Sequence, residues 1–316
     1  MKEIGGYFGL EQFIHREYYA SLIALNSGRN CLAYLIKARS IKKLYIPYFL
    51  CQAVKRVCEI NGCEVEEYHI NSDLKSIFDK ELSVGEYLYL VNYYSQIDNS
   101  EIIALKNQYK NIIFDNAQAF FQRPVNGIDT LYTCRKFFGV PDGAYLSTDK
   151  ELDVKLETDI SITRMTHILG CYEGTASDYY KRYQKCENSF NNLPLKYMSN
   201  LTHNMLGAID YERVSEIRNK NFEYLASKLG TKNKLKLKKT NGAFAYPFYI
   251  ENGDEIRQKF IKHKIHVATL WKNVQKNTPK AWIEYDYAVN ILPLPCDQRY
   301  QPKDMDFIIN ILLNST

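Results

Sequence analysis

Between residues 44 and 147 the apolar positions fall into short runs separated by stretches with helical spacing. Leu44-Tyr45-Ile46 is a brief apolar run stopped by Pro47. Residues 87–91, 112–114, 129–133 and 143–147 repeat that pattern, and residues 64–70 alternate as a strand does. Between them, Ala53, Val54, Val57 and Ile60 recur at helical spacing. Gly62 follows as the C-terminal cap of that helix. Residues 101–109 are helical too, and an apolar helix over 31–36 follows Ser27. Short apolar strands with helical spacers predict an α/β fold with a mostly parallel sheet covered on both faces. Ligands of such sheets collect outside the C-terminal ends of the strands.

Further along, residues 174–229 read as helical, and the apolar stripe over 209–229 suits a long connector. Beyond about 241 the pattern changes to a strand (243–250), a helix (254–263), a strand (289–294) and a closing helix (304–313). The expectation is a large α/β domain with an N-terminal arm over 1–205. The connector and a small C-terminal α+β domain would occupy 206–316. No repeat or low-complexity linker interrupts the chain.

Composition narrows the class. Of 316 residues, 46% are hydrophobic and 24% charged, the balance of a soluble globular chain. No apolar run approaches the ~20 residues of a membrane span, and the N-terminus lacks the apolar core of a secretory signal. A cytoplasmic protein that does not engage membranes is therefore expected. The net charge of +5 is scattered, which argues against nucleic acid. Its densest lysine run, residues 232–239, alternates with Leu235 and Leu237. It reads as a solvated edge strand, with an anion-binding patch as the alternative. The 8 cysteines form no CxxC pair and have no histidines at metal-finger spacing, so buried thiols in a reducing compartment are expected and no metal site.

Two segments carry candidate chemistry. Ile112-Ile113-Phe114-Asp115-Asn116-Ala117-Gln118 delivers a carboxylate at a strand's C-terminal end. Arg135-Lys136-Phe137-Phe138-Gly139 places a lysine just after another strand. A lysine walled by Phe137 and Phe138 is expected to be partly desolvated, which frees its amine for imine chemistry. The pair suits pyridoxal phosphate: Lys136 as the Schiff-base amine and Asp115 as the partner of the ring nitrogen. Ser27-Gly28-Arg29-Asn30 opens a helix and could seat the phosphate on free backbone N–H groups, with Arg29 as a charged partner. Each feature alone also has a plain structural reading: an N-cap, a turn acid, a surface lysine. Their order along the chain makes the combination specific.

These motifs resemble those of the DegT/DnrJ/EryC1/StrS sugar aminotransferases, a family of fold type I pyridoxal phosphate enzymes. The resemblance runs from Gly5-Gly6-Tyr7-Phe8 to the terminal helix. Ser27-Gly28-Arg29-Asn30 stands where the family has its Ser-Gly-Thr phosphate loop, and Asp115-Asn116-Ala117-Gln118 matches its Asp-Ala-Ala-Gln. It implies that Asp115 pairs with the pyridine nitrogen, that Gln118 lies near the ring hydroxyl, and that Lys136 bonds the cofactor. It further implies a homodimer that aminates a keto sugar, often nucleotide-linked, for surface polysaccharide synthesis, with glutamate as amino donor. Several positions depart from the family. Arg29 replaces a threonine. Cys51 stands where an aromatic stacks on the ring, leaving Tyr48, Phe49 or Tyr93 for that task. Leu131-Tyr132 replaces Ser-Phe, leaving Thr133 to contact the phosphate. Asp142 replaces a glutamate, and residues 193–197 align poorly with the Gly-Tyr-Asn-x-Arg segment. Arg299 could bind the donor carboxylate or form a surface ion pair. His167 and His203 read as packing residues. A non-catalytic member of the fold, or a pyridoxal phosphate enzyme acting on a non-sugar substrate, are the alternatives.

Overall fold

The computed structural model describes residues 4–313. Its elements run β1 (Ile23–Leu25), α1 (Gly28–Ala38), β2 (Lys43–Pro47), α2 (Gln52–Ile60), β3 (Glu64–Ile70), β4 (Ser76–Ile77) and β5 (Glu86–Val91). There follow α3 (Asn99–Tyr109), β6 (Ile112–Asp115), β7 (Asp129–Thr133), β8 (Ala144–Ser147), α4 (Thr166–Glu173), α5 (Tyr180–Ser189), α6 (Asn200–Leu206) and α7 (Tyr211–Leu229). The last are β9 (Tyr246–Tyr249), α8 (Gly253–Lys262), α9 (Lys272–Asn277), α10 (Ile283–Asn290), β10 (Ile291–Leu294) and α11 (Pro302–Leu313).

Eight strands form one sheet in the order β1-β8-β7-β6-β5-β2-β3-β4. The pairs β7/β6, β6/β5, β5/β2 and β2/β3 are parallel, and β8 runs antiparallel between β1 and β7. The chain winds outward from β2 to β3, then returns to lay β5, β6 and β7 on the other side. The order therefore switches between β2 and β5, the crevice where such sheets receive ligands. Every residue of β6 is buried, as a central strand with both faces covered requires. Leu32, Leu35 and Ile36 of α1 pack on one face; Ile102 of α3 packs with Leu88, Leu90 and Phe114 on the other. A capping box sets the start of α3: Asp98 accepts from the Glu101 N–H while the Glu101 side chain accepts from Asp98 N. α2 ends at Ile60, and as expected Gly62 stops it two residues on, in the left-handed conformation (φ +68°) that glycine adopts without strain. A two-stranded antiparallel pair, β9 with β10, has its own core of Phe222, Leu225, Phe248, Phe260, Leu292 and Met305.

Three expectations are corrected. Residues 232–239 form no strand, because Asn233 Oδ1 and Gln96 Oε1 take the N–H groups of Leu235 and Lys238 that a ladder would use. Leu235 still turns inward, and Lys234, Lys238 and Lys239 make ion pairs with Glu251, Glu101 and Glu223. The helical stretch 174–229 breaks into α5, α6 and α7, with residues 193–199 running past β1 and Tyr197 bridging to Leu25. Residues 283–290 fold as α10, where a strand had been expected to begin at 289. Among the described residues no helix is long and apolar enough to cross a membrane, and no cluster of His, Cys, Asp and Glu could hold a metal.

Near the site, Gly143 has φ +109°, and a Cβ there would lie 2.9 Å from Thr202 Cγ2. Its N–H donates to Asn26 O at 3.0 Å and its carbonyl accepts from Cys134 N at 3.1 Å. It thus ties the start of α1 to the lysine turn. Beside it Asp142 is fully buried and accepts from Ser199 N at 3.1 Å, Ser199 Oγ at 2.9 Å and Thr202 Oγ1, which anchors α6.

The N-terminal arm is held differently. Asn204 Oδ1 accepts from Phe13 N at 2.8 Å, and the His203 ring meets Glu17 Oε1 at 2.6 Å. Glu17 raises the His203 pKa. The raised value means the pair stabilises arm docking fully below the unfolded value of about 6.5. That contribution is lost as pH rises through the folded value. The pair is half-exposed and worth less than about 1 kcal/mol. Proteolysis of the arm is expected to quicken as pH is raised through that window, and His203→Gln should flatten the dependence.

Candidate active site

Asp115 ends β6, in register with Val91 of β5 and Leu131 of β7. It is only 7% exposed. Its Oδ1 accepts from Ala117 N at 2.8 Å and its Oδ2 from Tyr89 Oη at 2.8 Å. Burial raises its pKa, and the Lys136 charge and those two hydrogen bonds only partly offset the rise. Burial also pushes the Tyr89 phenol up, so it stays a donor. The two bonds fix the carboxyl plane while leaving lone pairs for a further donor.

Lys136 lies three residues beyond β7 in a tight turn. The N–H groups of Phe137 and Phe138 both donate to Cys134 O at 2.9 Å. In such a turn successive side chains diverge. Phe137 and Phe138 point inward to Phe120 and Phe121, and Lys136 points out, with Nζ 5.6 Å from the Phe244 ring centroid. The expected desolvation by its two phenylalanine neighbours is therefore corrected: Lys136 is exposed. Its turn is clamped from behind. Phe137 O accepts from Gln298 Nε2 at 2.8 Å and from Arg218 Nη2 at 3.2 Å; Arg218 is 1% exposed and also donates to Ala243 O.

Ser27 caps α1 in extended conformation, its Oγ accepting from Asn30 N at 3.2 Å. The ordinary N-cap reading is thus met, and the first N–H groups of the helix stay available to an anion. Thr133, at the end of β7, faces Gly28: a Cβ on the glycine would lie 3.9 Å from Thr133 Cβ. The Asn30 amide is spent on Asn26 Oδ1 and Pro194 O. Gln118 is buried, and its Oε1 accepts from Tyr94 N at 3.0 Å. Arg29 lines a groove between α1 and α2. Arg299 forms a two-bond ion pair with Asp297, both bonds 2.8 Å. Of the aromatic candidates, Phe49 and Tyr93 are buried against Trp271, whereas Tyr48 contacts His69 and Trp282. Cys51 precedes α2 without capping it.

The donor set fits pyridoxal phosphate. A buried carboxylate whose pKa is raised gains from a cationic N–H partner, a primary amine stands within its electrostatic reach, and a helix N-terminus with a hydroxyl opposite suits a phosphate.

No family model matches the chain, and no curated protein matches it in sequence. Solved structures do. The ntda protein from Bacillus subtilis, with bound cofactor PMP, matches with a TM-score of 0.66 at 14% identity, over 93% of this chain and 72% of that one. A DegT DnrJ EryC1 StrS aminotransferase from Brucella abortus gives 0.63 at 15% identity, over 93% and 85%. A GDP-4-keto-6-deoxymannose-3-dehydratase with a trapped PLP-glutamate geminal diamine gives 0.60 at 16%, over 92% and 87%. The chain therefore has the α/β fold of the fold type I aminotransferases, as its strand pattern and motifs led us to expect.

Proposed function

We propose that this protein is a pyridoxal phosphate-dependent aminotransferase that aminates a keto sugar, with glutamate as donor. The observation that carries this reading is the buried Asp115 carboxylate at the end of β6, under the charge of Lys136. The shared fold supports it, since the ntda structure holds PMP and the dehydratase structure a PLP-glutamate species. When bound, the cofactor supplies an electron sink for the carbon that loses its proton. Asp115 would hold the ring nitrogen's proton, its orientation set by Tyr89 and Ala117. Ser27, Gly28 and Thr133 would seat the phosphate, and Gln118 lies in the loop after Asp115, near the ring hydroxyl by the resemblance. Lys136 Nζ would bond the cofactor and, once released, carry the proton from the donor's α-carbon. A keto sugar, with or without a nucleotide, and a role in surface polysaccharide synthesis belong to the same proposal, as do a large unit over 1–205, a smaller one over 206–316 and a cytoplasmic location.

Titration with pyridoxal phosphate tests the reading. A visible absorbance band should grow in and saturate, glutamate should bleach it, and borohydride followed by peptide mapping should find the adduct at Lys136. A folded protein with no band would favour a non-catalytic member of the fold, a reading to which the exposed Lys136 side chain lends weight. A homodimer is part of the proposal, supported by Ile4, Tyr7 and Phe8, each more than 95% exposed on the arm; sedimentation velocity should show a dimer, and a monomer would refute it.

A further inference from the structure

Arg29, read from the sequence as a charged partner of the cofactor phosphate, lines a groove to which the proposed reaction gives no task. The groove lies between α1 and α2 under residues 190–195 and encloses about 550 Å³, within the ~300–1,000 Å³ range of small-molecule sites. Neither Asp115 nor Lys136 lines it. Arg29, Lys37 and Arg56 do, and among the described residues no aspartate or glutamate does. Arg29 Nη1 is buried with no hydrogen-bond partner. A buried guanidinium N–H without a protein partner is completed by a water or an anion, and here it shares the groove with a second guanidinium, Arg56. Burial, reinforced by the charges of Arg135 and Arg56 against those of Cys51 and Glu187, pulls the Arg29 pKa down. An anion would reverse that. Asn192 Oδ1 accepts from Arg56 Nη2 at 2.8 Å and so holds the second guanidinium over the groove. Val57, Ile60, Phe190 and Pro194 add an apolar part to the same lining.

We propose that this groove is a binding site for a small organophosphate, its phosphate on Arg29 and Arg56 and its apolar body along the wall of Val57, Ile60 and Phe190. Planar forks match phosphate oxygens in pairs, and two guanidinium groups in a lining without aspartate or glutamate favour an anion. The apolar wall distinguishes an organic phosphate from the inorganic ion. The proposal does not depend on the pyridoxal phosphate reading.

Calorimetric titration with phenyl phosphate tests it, first on protein as purified and then on protein saturated with pyridoxal phosphate. Saturable binding is expected in both, weakening with salt, with inorganic phosphate about tenfold weaker. Arg56 and Lys37 are exposed, so Arg56→Gln and Lys37→Gln should fold normally and still take up pyridoxal phosphate. Arg56→Gln should weaken phenyl phosphate by about tenfold; Lys37→Gln, outside the proposed phosphate contacts, should weaken it much less. No binding, binding indifferent to Arg56→Gln, or equal affinity for inorganic phosphate would overturn the proposal. So would loss of binding on saturation with pyridoxal phosphate, which would assign the groove to the cofactor's own phosphate. A protein that never takes up pyridoxal phosphate can still bind phenyl phosphate, so the two readings fail separately.

Discussion

Lys136→Ala is expected to give a folded protein with no visible cofactor band and no measurable amine transfer. The side chain is exposed and makes no hydrogen bond within the turn; the turn is held by backbone bonds to Cys134 O and by the clamp of Arg218 and Gln298 on Phe137 O. Stability should therefore stay within about 0.5 kcal/mol of the wild type, read by denaturant unfolding. In the proposed reaction, removing the amine would take away both the covalent hold on the cofactor and the proton carrier. The proton-transfer role alone is worth about 10²–10⁴-fold in rate, so turnover should fall by at least that factor. A second readout separates this role from a structural one. The Lys136 charge lowers the Asp115 pKa, so its loss should move Asp115 further up, visible by NMR titration of the carboxyl carbon. Retained turnover in Lys136→Ala would remove the lysine from the chemistry.

What the sequence disclosed and what it withheld follow a physical divide. Residues 112–114 and 87–91 are apolar enough to be recognised as buried strands, and Asp115 at the end of one is a visible exception. β1 is a three-residue strand defined by its pairing with β8, so no local pattern announces it. α10 mixes aromatic and acidic residues because Glu284 is fully buried to accept from Ile70 N at 2.9 Å across the fold. Periodicity cannot register a helix whose anchor is a distant strand. The lysine run over 232–239 alternates correctly, yet side chains from Asn233 and Gln96 replace the strand neighbours that alternation implied. In the site, Ser27, Gly28, Asp115, Gln118 and Lys136 were marked by motif. Tyr89 and Arg218 were not, since each acts on the site through long-range hydrogen bonds. Tyr89 carried a faint signal, as a tyrosine in an apolar strand with its hydroxyl due for burial needs a partner. Lys136 was misjudged in exposure because a turn sends neighbouring side chains in opposite directions.

Asp115→Asn should separate stability from function in opposite directions. Burial raises the Asp115 pKa above the ordinary carboxylate value of about 3.9. For an acid shifted upward, folding favours the neutral form. The advantage is present at low pH and is lost as pH rises from the unfolded value through the folded one. At neutral pH, well above the unfolded value, Asp115 is thus a cost to the protein without cofactor, whether it keeps its charge or takes up a proton. Asparagine keeps the polar contacts: its oxygen can accept from Ala117 N, and its amide can donate to Tyr89 Oη, whose hydroxyl proton rotates away. Cofactor-free Asp115→Asn should therefore melt higher than the wild type at neutral pH, with the gap closing as pH falls. Pyridoxal phosphate should reverse the order. In the proposed site the carboxylate would then gain a ring N–H partner, and binding would stabilise the folded state by an amount that grows with the logarithm of affinity. Asparagine supplies no negative charge to that proton, and turnover should drop by about 10²–10³-fold, the scale for losing one preorganised electrostatic contact. Thermal unfolding of both proteins, with and without pyridoxal phosphate, reads all four states. A variant that melts lower without cofactor, yet gains as much from it as the wild type, would show that Asp115 serves the fold through Tyr89 and Ala117 and not the ring nitrogen.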